Sequence, residues 1–145
     1  MKRFVILLAF IVCQLSVMAQ KELHIGALFE GKIVPRDKMV ETRVRGRSLS
    51  KYGLTYFHSL RFEPSTKEER TIKRLLKEDM EERASKDYKF YTDNEKDIYQ
   101  VFMQLSIIGG KKRMFCYKQR AESVLVIYME GPEASFNTLE KMSNK

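Results

Sequence analysis

The chain has no tryptophan, and its 145 residues include only two cysteines, two histidines, three prolines and seven glycines. Each scarcity excludes something. His24 and His58 are far apart, and there is no His-x-x-x-His, no Cys-x-x-Cys and no Asp-rich loop. A metal site needs three or four ligands at fixed spacing, so none is expected, and no cofactor is implied. Gly109-Gly110 lacks the Gly-x-x-x-x-Gly-Lys pattern of a phosphate loop, and no serine lies in a Gly-x-Ser-x-Gly elbow. So few glycines and prolines leave no linker and no low-complexity tract. The longest apolar run is too short to cross a bilayer, which takes about 20 residues in a helix.

What is present suits a globular protein. Apolar residues make up 43% and charged residues 32%, and the mean hydropathy is −0.40. That balance argues against disorder. The length argues for one domain rather than a multi-domain enzyme. Lys and Arg outnumber Asp and Glu by 27 to 19, a formal charge of +8.

The first residues read as an address. Lys2 and Arg3 precede an apolar run over residues 4–12, and Val17-Met18-Ala19 forms a small-x-small cleavage site before Gln20. These parts in this order make a secretory signal peptide over residues 1–19. An uncleaved anchor is the alternative, and the shortness of the run speaks against it. Cys13 raises lipidation, but branched Val12 stands where lipid attachment needs a small residue. Cleavage leaves residues 20–145 as a single α+β domain without a transmembrane helix. Losing Lys2 and Arg3 takes the charge from +8 to +6. Losing Cys13 leaves Cys116 alone, so no internal disulfide forms and the core must hold the fold.

The mature region then alternates between periods of two and 3.6. Residues 21–30 carry a loose helical stripe (Leu23, Ile25, Leu28, Phe29) that Gly31 ends. Residues 39–45 alternate, with Val40, Thr42 and Val44 on one face and Glu41, Arg43 and Arg45 on the other. Residues 54–62 form a second strand, with Leu54, Tyr56, His58, Leu60 and Phe62 sharing a face. Ser65 with Glu68 makes a capping box, or Thr66 with Glu69 does. A helix follows to about Ala84, with a narrow stripe of Ile72, Leu75, Leu76, Met80 and Ala84. Glu69–Lys73, Lys77–Glu81 and Asp79–Arg83 are opposite-charge pairs at i, i+4. Residues 88–91 form a short strand that turns at Asp93-Asn94.

Gly109-Gly110 between long β patterns (98–108 and 111–119) marks a two-residue hairpin. A regular ladder from that turn pairs Leu105 with Met114 and Met103 with Cys116 on the core face. It pairs Gln104 with Phe115 and Phe102 with Tyr117 on the other. Residues 124–129 are continuously apolar, as suits a central strand. Gly131-Pro132-Glu133 is expected to start a last helix with Pro at its first position, burying Phe136, Leu139 and Met142. The order is two strands, a helix, four strands and a helix. It predicts a mainly antiparallel sheet of five to six strands, with the long amphipathic helix and the C-terminal helix packed on one face.

Chemistry is harder to find. Cys116 has basic neighbours but points inward, the place of a small apolar residue. His58 sits on an apolar strand face among Tyr56 and Leu60. Either would be the participant if the protein were a small hydrolase assembled only in the fold. The basic excess is the one surface feature with a direction. Arg43, Arg45 and Arg47 fall at period two, and Lys111, Lys112 and Arg113 follow the hairpin turn. These six are the candidate anion-binding residues, since arginines hold phosphates and carboxylates bidentately. Behind a signal peptide the partners would be an envelope protein, or anionic glycolipid, polysaccharide or phospholipid headgroups, rather than nucleic acid. Ordinary solvated charge on strand edges is the plainer explanation.

The leader ending Met-Ala-Gln resembles those of small exported proteins of the Bacteroidetes phylum. So do Leu28-Phe29-Glu30, the strand from Val40, the charged helix, and Val124-Leu125-Val126-Ile127-Tyr128-Met129-Glu130-Gly131 before a Leu/Met helix. These are similar to families known only as exported domains of unknown function. The resemblance implies a periplasmic or envelope location in a Gram-negative cell, and it implies no activity. The resulting expectation is a non-enzymatic binding or accessory module. Its oligomeric state is open.

Overall fold

A computed structural model describes residues 23–144. The expected leader lies outside the described residues. The strands are β1 (Val40–Arg45), β2 (Tyr56–Phe62), β3 (Tyr88–Asp93), β4 (Ile98–Ile108), β5 (Lys111–Arg120) and β6 (Ser123–Gly131). They form one antiparallel sheet in the order β1-β2-β6-β5-β4-β3. Helix α1 (Thr66–Glu81) lies between β2 and β3 in the chain, and α2 (Phe136–Ser143) closes it. The chain order is the one that the periodicity predicts, and the fold is α+β. The apolar run 124–129 is indeed central, between β2 and β5, with every residue buried.

The hairpin departs from a regular ladder. Gly109 and Gly110 take φ of 58° and 75°, the left-handed pair that a tight hairpin requires. Ile108 pairs with Lys111, but Leu105 then pairs with Arg113. Two residues of β4, Ser106 and Ile107, therefore oppose Lys112 alone. This β-bulge shifts every later pair by one. Met103 faces Phe115 rather than Cys116, and Phe102 faces Cys116 rather than Tyr117. A one-residue slip exchanges the faces of a strand. Cys116 and Arg113 thus exchange the surroundings that a regular hairpin assigns them.

The two helices cover opposite faces, which corrects the one-sided packing expected above. Ile72 and Leu76 of α1 pack with Leu60, Val101, Met103, Phe115, Tyr117 and Tyr128. Leu139 of α2 packs with Phe102, Met114, Cys116, Ile127 and Met129. The reason is visible in β5, where successive residues 113–117 are all buried. A strand apolar on both faces needs cover on both.

Local signals set the helix starts. The Ser65 hydroxyl accepts the Glu68 amide at 3.2 Å, and the Glu68 carboxylate accepts the Ser65 amide at 2.9 Å. This is the expected capping box. Lys73 bridges to Glu69 at 2.7 Å, and Arg74 to Glu78 at 3.2 Å. The helix ends at Glu81, short of Ala84. Asp79 does not face Arg83 as an exposed pair but turns inward. At the other end of the chain, Pro132 falls in a turn. α2 begins later, where Ser135 accepts the Thr138 amide at 3.2 Å. Gly131 must be glycine, because a Cβ there would collide with the Gly53 carbonyl and the Leu54 backbone.

The N-terminal stretch forms a 3-10 helix (His24–Leu28), which Gly31 ends at φ 72°. Both oxygens of Asp79 hold its start, accepting the His24 amide at 2.8 Å and the Ile25 amide at 3.0 Å. Ile25, Leu28 and Phe29 then bury against the α1 face of the sheet.

Candidate functional site

A polar array forms where that stretch meets the first two strands. The β1–β2 register places Arg43 opposite His58, Arg45 opposite Tyr56, and Glu41 opposite Leu60. All six share the α1 face. Glu41 is the hub. Its Oε1 accepts His58 Nε2 at 2.7 Å and Arg43 Nε at 2.8 Å. Arg36, from a short 3-10 turn (Arg36–Lys38), approaches its other oxygen at 3.5 Å and donates to the Phe29 carbonyl at 3.3 Å. Phe29 roofs His58, with ring centroids 4.7 Å apart.

The electrostatics follow from this packing. Burial is the largest influence on His58 and holds its pKa below 6.5, with Arg43 and Arg36 adding and Glu41 opposing. The ring is therefore neutral at pH 7 and donates its Nε2 proton to Glu41. Burial pushes the Glu41 carboxyl up, but hydrogen bonds from His58 and Arg43 outweigh it and hold the pKa below 4.5. Three arginines with one carboxylate leave the surface here positive.

The same row continues across the sheet. Arg45 stacks over the Tyr56 ring at 4.5 Å. Tyr56 neighbours Glu130, and Glu130 neighbours Arg113. The Tyr128 hydroxyl donates to Glu130 at 2.6 Å. Arg113 is fully buried, and its Nε donates to the Ser106 carbonyl of the bulge at 2.8 Å. Arg45 and Arg113 are three strand spacings apart, about 14 Å.

The six candidate basic residues are thus partly assembled. Arg43 and Arg45 lie side by side on the exposed part of the α1 face. Lys111 shares that face at the hairpin end and is exposed. Arg113 shares it too, but as a buried structural cation rather than a surface group. Lys112 points to the opposite face. Arg47 leaves the strand altogether: Gly46 takes φ 92° and the chain enters a 3-10 helix (Arg47–Tyr52) that buries Leu49 on the α2 side.

Cys116 is buried on the face opposite His58, and burial pushes its thiol up to about 12. The two groups weighed as hydrolase participants do not meet. The array built by Glu41, His58 and Arg36 was not found from the sequence. Glu41 and Arg43 at period two were legible, but their meeting with His58 depends on the β1–β2 register. His24, Asp79 and Glu82 form a second group, with ligand atoms within 4.8 Å of one another. Its atoms are engaged: Asp79 holds the two backbone amides, and His24 Nε2 meets Glu82 at 2.7 Å.

A family model for a family of unknown function, DUF6108, matches residues 12–143. The chain belongs to that family. No curated protein matches it, and no solved structure does. The DUF6108 match spans both helices and all six strands, so the polar array and the hairpin lie within it.

Proposed function

We propose that this DUF6108 protein is a small exported, non-enzymatic binding module of a Gram-negative cell envelope, with a surface for anionic glycolipid or polysaccharide. One observation carries the reading. Arg43 and Arg45 stand side by side on an edge strand, held in place before any ligand arrives. Glu41 orients Arg43, whose side chain is 55% exposed, and the Tyr56 ring supports Arg45. Arginines fixed this way lose little freedom on binding, and a guanidinium matches phosphate or carboxylate geometry. Arg36 and Lys111 extend the positive surface. The signal-peptide pattern supports the location.

The test is a salt series with the purified protein and three kinds of vesicle. These carry lipopolysaccharide, phosphatidylglycerol or only phosphatidylcholine. Binding to an anionic vesicle is expected at about 0.1 M salt and should collapse near 1 M, where the screening length falls from about 10 Å to about 3 Å. Arg43→Glu with Arg45→Glu should weaken it at least about tenfold, the loss of one charge-assisted hydrogen bond of about 1.5 kcal/mol. Lys118→Glu, on the α2 face, should leave it unchanged. Equal binding by the double variant would refute the assignment of these arginines. A mass matching residues 20–145 for protein from the native host would support export.

A further inference from the structure

The two edges of the sheet are built differently. β1 displays Glu41, Thr42, Arg43 and Arg45, the charged dressing that discourages pairing. β3, at the other edge, reads Tyr-Lys-Phe-Tyr-Thr-Asp, with no proline and a single lysine. Among the described residues it pairs only with β4. One of its two rows of amide and carbonyl groups has no strand beside it. Phe90 and Tyr91 are 46% and 50% exposed, on opposite faces.

On the α1 face this edge borders a groove of about 510 Å³ lined by Lys73, Arg74, Lys77, Met80, Phe90 and Tyr99. Its floor is apolar and preformed: the Phe90 and Tyr99 rings meet nearly at right angles, with centroids 5.1 Å apart. Its helix wall is basic. Lys73 Nζ lies 4.9 Å from the Tyr99 ring centroid while it bridges Glu69, Arg74 bridges Glu78 beside it, and Lys77 adds a third cation along α1. An apolar slot, a cationic wall and an open strand edge run side by side.

We propose that β3 is a strand-addition site for an extended acidic segment of a partner protein. The segment carries an apolar side chain flanked by carboxylates two residues away on either side. Residues two apart in a strand point to the same face. One apolar residue therefore enters the groove while its i−2 and i+2 neighbours reach the cations of α1. Main-chain hydrogen bonds supply affinity and the groove selects the side chain. A second copy of this chain fits less well. Pairing β3 with itself about a two-fold axis would set Lys73, Arg74 and Lys77 of each copy against the same row of the other, and like charges repel. The site lies on the opposite edge from Arg43 and Arg45 and does not rest on the anion-binding reading.

The experiment uses a fluorescent heptapeptide, Thr-Glu-Thr-Phe-Thr-Glu-Thr, blocked at both ends, and reads anisotropy against the purified protein. Saturable binding is expected below about 1 mM. Two further peptides carry N-methyl groups on either the odd or the even amides. Only the set facing β3 donates to it, so one of the two should lose binding and the other should keep it. Replacing both Glu with Lys should abolish binding. Lys77→Glu should weaken it at least about fivefold through lost attraction and new repulsion, and Phe90→Ser should weaken it without unfolding an exposed strand position. No saturable binding overturns the proposal. So does equal binding of both N-methylated peptides, or sedimentation showing that β3 is already occupied by a second copy.

Discussion

Replacing Asp79 with alanine should destabilise the protein more than any surface change. The carboxylate is 1% exposed and accepts two backbone amides, His24 at 2.8 Å and Ile25 at 3.0 Å. Both amides belong to the first turn of a 3-10 helix, where no intrahelical partner exists. Alanine leaves them unsatisfied under a packed segment. Each such loss costs about 1–3 kcal/mol, so the pair should cost about 3 kcal/mol. At roughly 3–6 °C per kcal/mol for a domain of this size, the melting temperature should fall by about 10 °C. Amide hydrogen exchange should accelerate at His24 and Ile25 first. Asparagine is not a rescue, since its amide group would face one donor with another. The charge itself is held at a cost: burial raises the Asp79 pKa, and the two amides only partly oppose it. A melting temperature within about 2 °C of the parent would show that this segment is held by Ile25 and Leu28 alone, because two lost bonds must exceed that shift.

Acidification should weaken the fold through His58, and His58→Gln should remove much of that effect. The sign follows from the buried imidazole. Its folded pKa lies below 6.5, so the unfolded chain takes up a proton first as the pH falls. The stability it contributes is complete above 6.5 and is lost as pH drops from there through the folded pKa. The slope from one group reaches at most about 1.4 kcal/mol per pH unit. Glu41, also depressed, acts in the same sense but only below 4.5. His24 acts oppositely. Its hydrogen bond to Glu82 raises its pKa, so its contribution is full below 6.5 and is lost as pH rises through the folded value. His24 is present in both proteins, so their difference isolates His58. Chemical denaturation at pH 7.5, 6.5, 5.5 and 5.0 reads the slopes. Parallel slopes for parent and variant would mean that folding leaves the His58 pKa unshifted, against the direction given by its burial.

Periodicity was enough for the elements. The switch from alternation in 39–45 to a 3.6-residue stripe in 66–81 and back is a local property, as are the Ser65 cap and the Gly109-Gly110 turn. Local rules failed where a partner decided the outcome. The Pro132 dipeptide looked like a helix start, but close contact between Gly131 and the Gly53–Leu54 backbone holds that stretch as a turn. Asp79 looked like one half of a surface pair with Arg83. Its true partners lie 54 and 55 residues away, and no spacing rule reaches them.

The candidate site shows the same division. The sequence by itself determined which residues of β1 share a face, because side chains alternate in any strand. It determined that residues 124–129 need burial on both sides. Only the tertiary structure decided which face meets what. One bulge residue in β4 turned Arg113 inward and carried Cys116 to the α2 side, since a side-chain period of two makes every slip a change of face. Strand register brought His58 under Glu41. The order of strands left β3 open at one edge while dressing β1 with charge at the other. These are long-range pairings, chosen by the total burial of both faces at once, and no window of neighbouring residues contains that sum.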